Sequence, residues 1–260
     1  MTMHNVLMET RGAIGLITLN RPKQLNALNA ETMREIIAAA RECENNPEIK
    51  VVVITGSGEK AFAAGADIKA MATMGFAEAD AYGRLGHDCM RVLEELKQPV
   101  IAAVNGYALG GGTELALACD FIYAADSAVF ALPEVKLGLF PGWGGTQRLS
   151  RIVGRPKANE LIFTGKRLTA PEAYQWGFVN HVVPKAELWA AVEQVAQEIA
   201  ANAPLAIACA KRVIIQSCHL SLADGLALER STFPSCFTTE DAREGLAAFM
   251  EGRVARFVGK

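Results

Sequence analysis

The 260-residue chain is 51% hydrophobic, enough to build one large domain, or one domain with a small appendage. Its formal net charge of −2 at pH 7 argues against a nucleic-acid or anionic-membrane surface as the main partner. No apolar run approaches the ~20 residues that cross a bilayer, and no basic-then-apolar leader opens the chain, so a cytoplasmic location is expected.

The predicted elements begin with a strand over 13–19, short, apolar and rich in β formers. Asn29 is placed to cap a helix running to about Asn45, with Glu31 in its first turn. A buried strand over 50–55 ends at Gly56, and a helix near 79–96 leads into a strand over 99–104. Another helix starts at the triple glycine 110–112, followed by strands near 121–125 and 128–132. This alternation predicts an α/β layer structure with crossovers. Beyond Gly144 the pattern is mainly helical, over 144–152, 156–163, 170–176, 187–202, 204–217, 221–230 and 239–251. One strand over 178–183 interrupts it, and Thr238-Thr-Glu-Asp241 resembles a capping box. The expected organisation is an α/β core over residues 1–200 and a helical C-terminal region over 201–260.

Two glutamates stand out within this plan. Glu114 closes Ala108-Leu-Gly-Gly-Gly-Thr-Glu114, just inside a helix whose mouth is three glycines. Glu134 follows Pro133, beside a strand end. Two carboxylates near an N–H-rich backbone suggest general acid–base chemistry at an anion-stabilising site. Unsatisfied N–H groups at a glycine helix mouth form a natural oxyanion site, although close helix–strand packing explains the glycines equally well. The loop Phe62-Ala-Ala-Gly-Ala-Asp-Ile-Lys69 is likewise open enough for its backbone to approach a ligand. Neither nucleotide-binding glycine signature occurs, and no G-x-S-x-G elbow is present. The six cysteines (43, 89, 119, 209, 218, 236) include no C-x-x-C pair, and the four histidines (4, 87, 181, 219) lack ligand spacing, so neither disulfides nor a metal site is expected.

Together these segments resemble the enoyl-CoA hydratase/isomerase (crotonase) superfamily. The resemblance rests on Phe62–Lys69, Asn105-Gly-Tyr-Ala-Leu-Gly-Gly-Gly-Thr-Glu114, Pro133-Glu134 and Gly144-Gly-Thr-Gln-Arg-Leu149 in order and spacing. Asn20-Arg-Pro-Lys-Gln-Leu-Asn-Ala27, the stretch from Phe237, Phe249 and the terminal Lys260 extend it across the chain. It implies a spiral of β-β-α repeats with a helical trimerisation region, commonly assembled as a dimer of trimers. It also implies that the N–H groups of Ala66 and Gly111 form an oxyanion hole and that Glu114 and Glu134 are the catalytic acids. Lys23, Leu25, Ala64, Ala66, Asp67, Ile68, Gly111 and Pro133 would then lie along the CoA thioester. Phe249 and Lys260 would approach it across a subunit boundary. No cofactor is implied beyond the CoA that belongs to the substrate.

The implied reaction is hydration of a 2-enoyl-CoA, with two carboxylates gripping one water. An isomerase moving a double bond needs one shuttling base, so the presence of both glutamates favours hydration. A CoA-thioester-binding or RNA-binding protein without turnover is the alternative from another class. Trp143 is bulkier than the small residue expected between its flanking glycines, which leaves a cyclic or branched enoyl-CoA open as substrate.

Overall fold

The computed structural model describes residues 3–260. Its strands fall into two sheets, and the chain passes repeatedly from one to the other. The larger sheet has strand order β1 (Val6–Arg11), β2 (Ile14–Leu19), β3 (Val51–Gly56), β5 (Val100–Val104), β7 (Phe121–Ala125) and β10 (His181–Val183). Only the β1–β2 hairpin is antiparallel within it. The smaller sheet runs β4 (Ala61–Ala63), β6 (Tyr107–Leu109), β8 (Val129–Ala131) and β9 (Arg167–Thr169), with β9 antiparallel. Successive pairs β3/β4, β5/β6 and β7/β8 therefore place one strand in each sheet before a helix follows. That is the β-β-α spiral expected from the resemblance.

Strands β3 and β5 are buried on both faces, as parallel strands covered by helices must be, and so read as unbroken apolar runs. Helix α1 (Ala30–Asn45) packs on β1, β2 and α3 (Phe76–Glu95), while α8 (Leu188–Ala200) lies across β3, β5 and β7. Asn29 caps α1 as expected, its Oδ1 accepting from Thr32 N–H at 2.8 Å. Glu35 of α1 is buried, and its carboxylate accepts from the N–H groups of His4, Asn5 and Val6 at 2.7–3.0 Å, tying the entry of β1 to the helix.

Several elements differ from expectation. Strands β1, β4, β6 and β9 were not anticipated. The last three have three residues each, too short to show any periodicity. The strand expected over 178–183 is confined to His181–Val183. The short α2 (Ile68–Met71) precedes α3, which begins at Phe76 rather than Ala79. At the last helix Thr239 is the N-cap and accepts from Ala242 N–H at 3.0 Å, so the box proposed to start at Thr238 is displaced by one residue and lacks its reciprocal half.

The helices α4 (Gly111–Leu117), α5 (Gly145–Val153), α6 (Arg155–Thr164) and α7 (Ala170–Trp176) complete the core region. The C-terminal layer consists of α9 (Pro204–Ser217), α10 (Leu222–Thr232) and α11 (Glu240–Glu251); α9 packs on α10, and all three pack on a 3-10 turn at Phe233–Thr238. It is pinned to the core by Lys211 of α9. That buried ammonium donates to Asp120 at 2.7 Å and to the carbonyls of Leu93 and Gln98 at 3.1 and 3.0 Å.

Candidate active site

Helix α4 is the centre of the site. Gly110, with φ +50°, turns the chain from β6 into the helix. A Cβ on Gly112 would lie 1.9 Å from the Ala63 carbonyl oxygen, so only glycine lets α4 sit this close to β4. Close packing, one of the two explanations offered for the triple glycine, thus applies at Gly112 and again at Gly111, where a Cβ would lie 2.3 Å from the Trp143 ring. The Thr113 hydroxyl locks the helix to both neighbours, bonding the carbonyls of Ala108 and Ala131.

This packing buries Glu114 to 2% exposure. Its Oε1 accepts two backbone N–H groups, from Trp143 and Gly145, each at 2.8 Å. Burial pushes its pKa above the ordinary carboxylate value, and the two N–H groups and the Arg148 cation oppose that rise. Glu134 opens a 3-10 turn (Glu134–Leu137) directly after Pro133. A Cβ on Gly110 would lie 2.8 Å from its Oε1, which brings this carboxylate against the mouth of α4. Its Oε2 is buried without a partner among the described residues. Burial, with a smaller contribution from the charge of Glu114, raises the Glu134 pKa to about 7. The structure therefore joins the two predicted acids in one electrostatically coupled site, and gives them unequal surroundings.

The loop after β4 forms the opposite wall. Gly65, at φ +100°, reverses the chain, and its carbonyl accepts from Leu28 N–H while the Leu28 carbonyl accepts from Asp67 N–H. This leaves the N–H of Ala66 between them with no protein acceptor among the described residues. Gly111, as first residue of α4, likewise has no acceptor one turn earlier in the helix. The two loops adjoin, because a Cβ on Gly65 would lie 3.8 Å from Gly111 N.

Around this centre, Ala64 N–H bonds the Leu25 carbonyl, and Asp67 pairs with Arg21 at 3.0 Å. Leu25 has a left-handed backbone (φ 52°) and is exposed, as are Lys23 beside it and Ile68. Pro133 is half-buried at the base of Glu134. Phe249 and Lys260 are not gathered with this group inside the chain. Phe249 is exposed on α11, and Lys260 sits at that helix's N-terminus, its carbonyl accepting from Glu240 N–H at 2.6 Å.

Four residues of the site's framework were not singled out from sequence. Asn26, buried with φ 57°, bonds Arg21 N–H and the carbonyls of Ser57 and Ala61. Tyr82 donates to the Leu28 carbonyl at 2.6 Å and meets the Trp143 ring edge-on. Arg148 and Glu94 form a bidentate pair. Asn26 alone carried a local hint, since asparagine tolerates left-handed backbone; the others act through long-range contacts. Trp143, bulkier than expected between its glycines, is buried against Gly86 and Gly111, where added Cβ atoms would lie 2.2 and 2.3 Å from its ring.

Such a spiral, with two carboxylates at the mouth of a central glycine-led helix, defines a crotonase-type fold. Residues 9–260 match the sequence model of the family described as enoyl-CoA hydratase/isomerase. A short-chain-enoyl-CoA hydratase of Clostridium acetobutylicum is 46% identical over 253 residues, covering 97% of both chains. A crotonyl-CoA hydratase of Syntrophomonas wolfei is 42% identical over 260 residues and 100% of both chains. The crystal structure of an enoyl-CoA hydratase from Bacillus anthracis matches with a TM-score of 0.96 at 41% identity, over 99% of this chain and 100% of that one. The chain belongs to the enoyl-CoA hydratase/isomerase family.

Proposed function

We propose that this chain hydrates short-chain 2-enoyl-CoA thioesters, adding water across the 2,3 double bond to give the 3-hydroxyacyl-CoA. One observation carries the reading: two coupled carboxylates in unequal surroundings, Glu114 held by two N–H donors and Glu134 bearing a buried free oxygen. Burial raises the proton affinity of the Glu114 carboxylate while two N–H donors hold it in place, so Glu114 is suited to orient water and take its proton. Glu134, with a pKa near 7, is suited to hold a proton and deliver it to C2. As the water oxygen bonds to C3, negative charge gathers on the thioester oxygen. The N–H groups of Ala66 and Gly111 receive it; losing one such donor typically raises a barrier by ~3–4 kcal/mol. The two acids then exchange a proton and are reset.

In this reading the CoA moiety runs past Lys23, Leu25, Ala64, Asp67, Ile68 and Pro133, and no cofactor takes part. Phe249 and Lys260 contribute from a neighbouring subunit, within a cytoplasmic dimer of trimers built through residues 201–260. The buried Trp143 ring beside Gly111 favours a short acyl group. The decisive experiment follows the conjugated-enoyl absorbance of crotonyl-CoA. Its disappearance, with 3-hydroxybutyryl-CoA as product, supports hydration; an unchanged spectrum rejects it. A panel of longer, branched and cyclic enoyl-CoA substrates then defines the acyl pocket by kcat/KM.

A further inference from the structure

The loop that supplies both N–H donors to Glu114 is itself held from behind. Arg148, one turn into α5, donates through Nη1 to the Trp143 carbonyl at 2.9 Å. Its Nε and Nη2 meet the two carboxylate oxygens of Glu94 on α3, each at 2.7 Å. The guanidinium lies over Gly144, where a Cβ would be 2.0 Å from Nη1, and Gly144 has φ +109°. On the other side of the loop, a Cβ on Gly145 would lie 3.0 Å from Glu114 Cγ. The glycines at 144 and 145 thus leave room for Arg148 on one face and Glu114 on the other. The backbone of Trp143 is gripped on both sides: its N–H by Glu114, its carbonyl by Arg148.

We propose that Arg148, oriented by Glu94, is a positioning residue that sets the place and ionisation of the Glu114 carboxylate by fixing the Trp143–Gly145 backbone. The inference rests on the hydratase reading and deepens it. In this reading Arg148 acts through the loop and through its charge, since its guanidinium is engaged by Glu94 and the Trp143 carbonyl. The charged and titratable groups around Glu114 are Arg148 from α5, Glu134 from the turn after β8 and, behind Arg148, Glu94 from α3. A bidentate fork suits this task, since a lysine supplies the charge without the second parallel bond.

The test compares kcat and KM for crotonyl-CoA hydration across pH in wild type, Arg148→Met, Arg148→Lys and Glu94→Gln. Arg148→Met is expected to lower kcat about 10–100-fold, the range that small misplacement of a reacting group produces. KM should change little, and the acidic limb of the kcat profile should move to higher pH, because the cation that favours ionised Glu114 is gone. Arg148→Lys should return the limb towards wild type while recovering only part of kcat. Glu94→Gln should lower kcat and shift the limb the opposite way, since it leaves Arg148 unneutralised. An active wild type whose variants keep an unmoved limb overturns the positioning role, including the case where kcat falls only in step with melting temperature. If Arg148→Met does not fold, the direction of the Glu94→Gln shift decides. A wild type that leaves crotonyl-CoA unchanged overturns the hydratase reading itself, and this inference with it.

Discussion

Glu114 and Glu134 have the same side chain in unequal surroundings, and in the proposed reaction those surroundings divide the work. Replacing Glu134 with Gln should reduce hydration ~10²–10⁴-fold with the fold and thioester binding retained. Stopped-flow kinetics that keep more than about half of wild-type kcat would remove Glu134 from the reaction. Glu114→Gln should lose hydration comparably. The pH profile of kcat should be bell-shaped: Glu114 must be ionised, so activity falls in acid, and Glu134 must be protonated, so activity falls as pH rises through about 7. Stability carries the same signature. A folded-state pKa raised from 4.5 to about 7 means that the native chain binds the Glu134 proton more tightly than the unfolded chain. Wild type should therefore lose stability relative to Glu134→Gln as pH rises across that window, by about 1–2 kcal/mol after allowance for solvent. Denaturant midpoints at either end of the window check it; a difference independent of pH contradicts the shift.

Among the elements, α4 matters most, because its closeness to β4 sets where Glu114 lies. Gly112→Ala puts a methyl on the Ala63 carbonyl, and backbone cannot rotate away as a flexible side chain can. The expected cost is about 1–3 kcal/mol of stability, together with a fall in kcat as the helix is displaced. Unchanged melting and kinetics would show that α4 shifts freely. The C-terminal layer depends on α9 in a similar way. Lys211→Ala removes an ion pair with Asp120 and two carbonyl contacts, at an expected cost of about 3 kcal/mol. Limited proteolysis should then cut first within residues 201–260. Cleavage spread evenly along the chain would refute Lys211 as the pin.

For the molecule as a whole, the outer surface of the last helices is the informative feature. Phe233, Phe237, Leu226, Leu246 and Phe249 are 52–86% exposed, an apolar display generous for a solvated appendage. The proposed assembly would bury it against neighbouring copies, and light scattering at micromolar concentration should then report a hexamer. A mass near the 27.8 kDa of one chain would reject both the assembly and the contribution of Phe249 and Lys260 to an adjacent CoA site.

Sequence by itself determined what is local. The Asn29 cap, the long helices and the unbroken apolar strands β3 and β5 follow from side-chain period and end chemistry acting over a few residues. The two acids were legible for the same reason, since glycine runs beside a carboxylate are a local pattern. Tertiary structure decided what depends on distant partners. Three-residue strands such as β4 and β6 exist only because the spiral brings them side by side, where pairing stabilises segments too short to hold a strand alone. The choice of Trp143 and Gly145 as donors to Glu114 spans about thirty residues, and the Arg148–Glu94 pair spans 54. The unequal acidity of the two glutamates has the same origin: it comes from burial and from which N–H groups face each oxygen, and only the packed chain creates those surroundings.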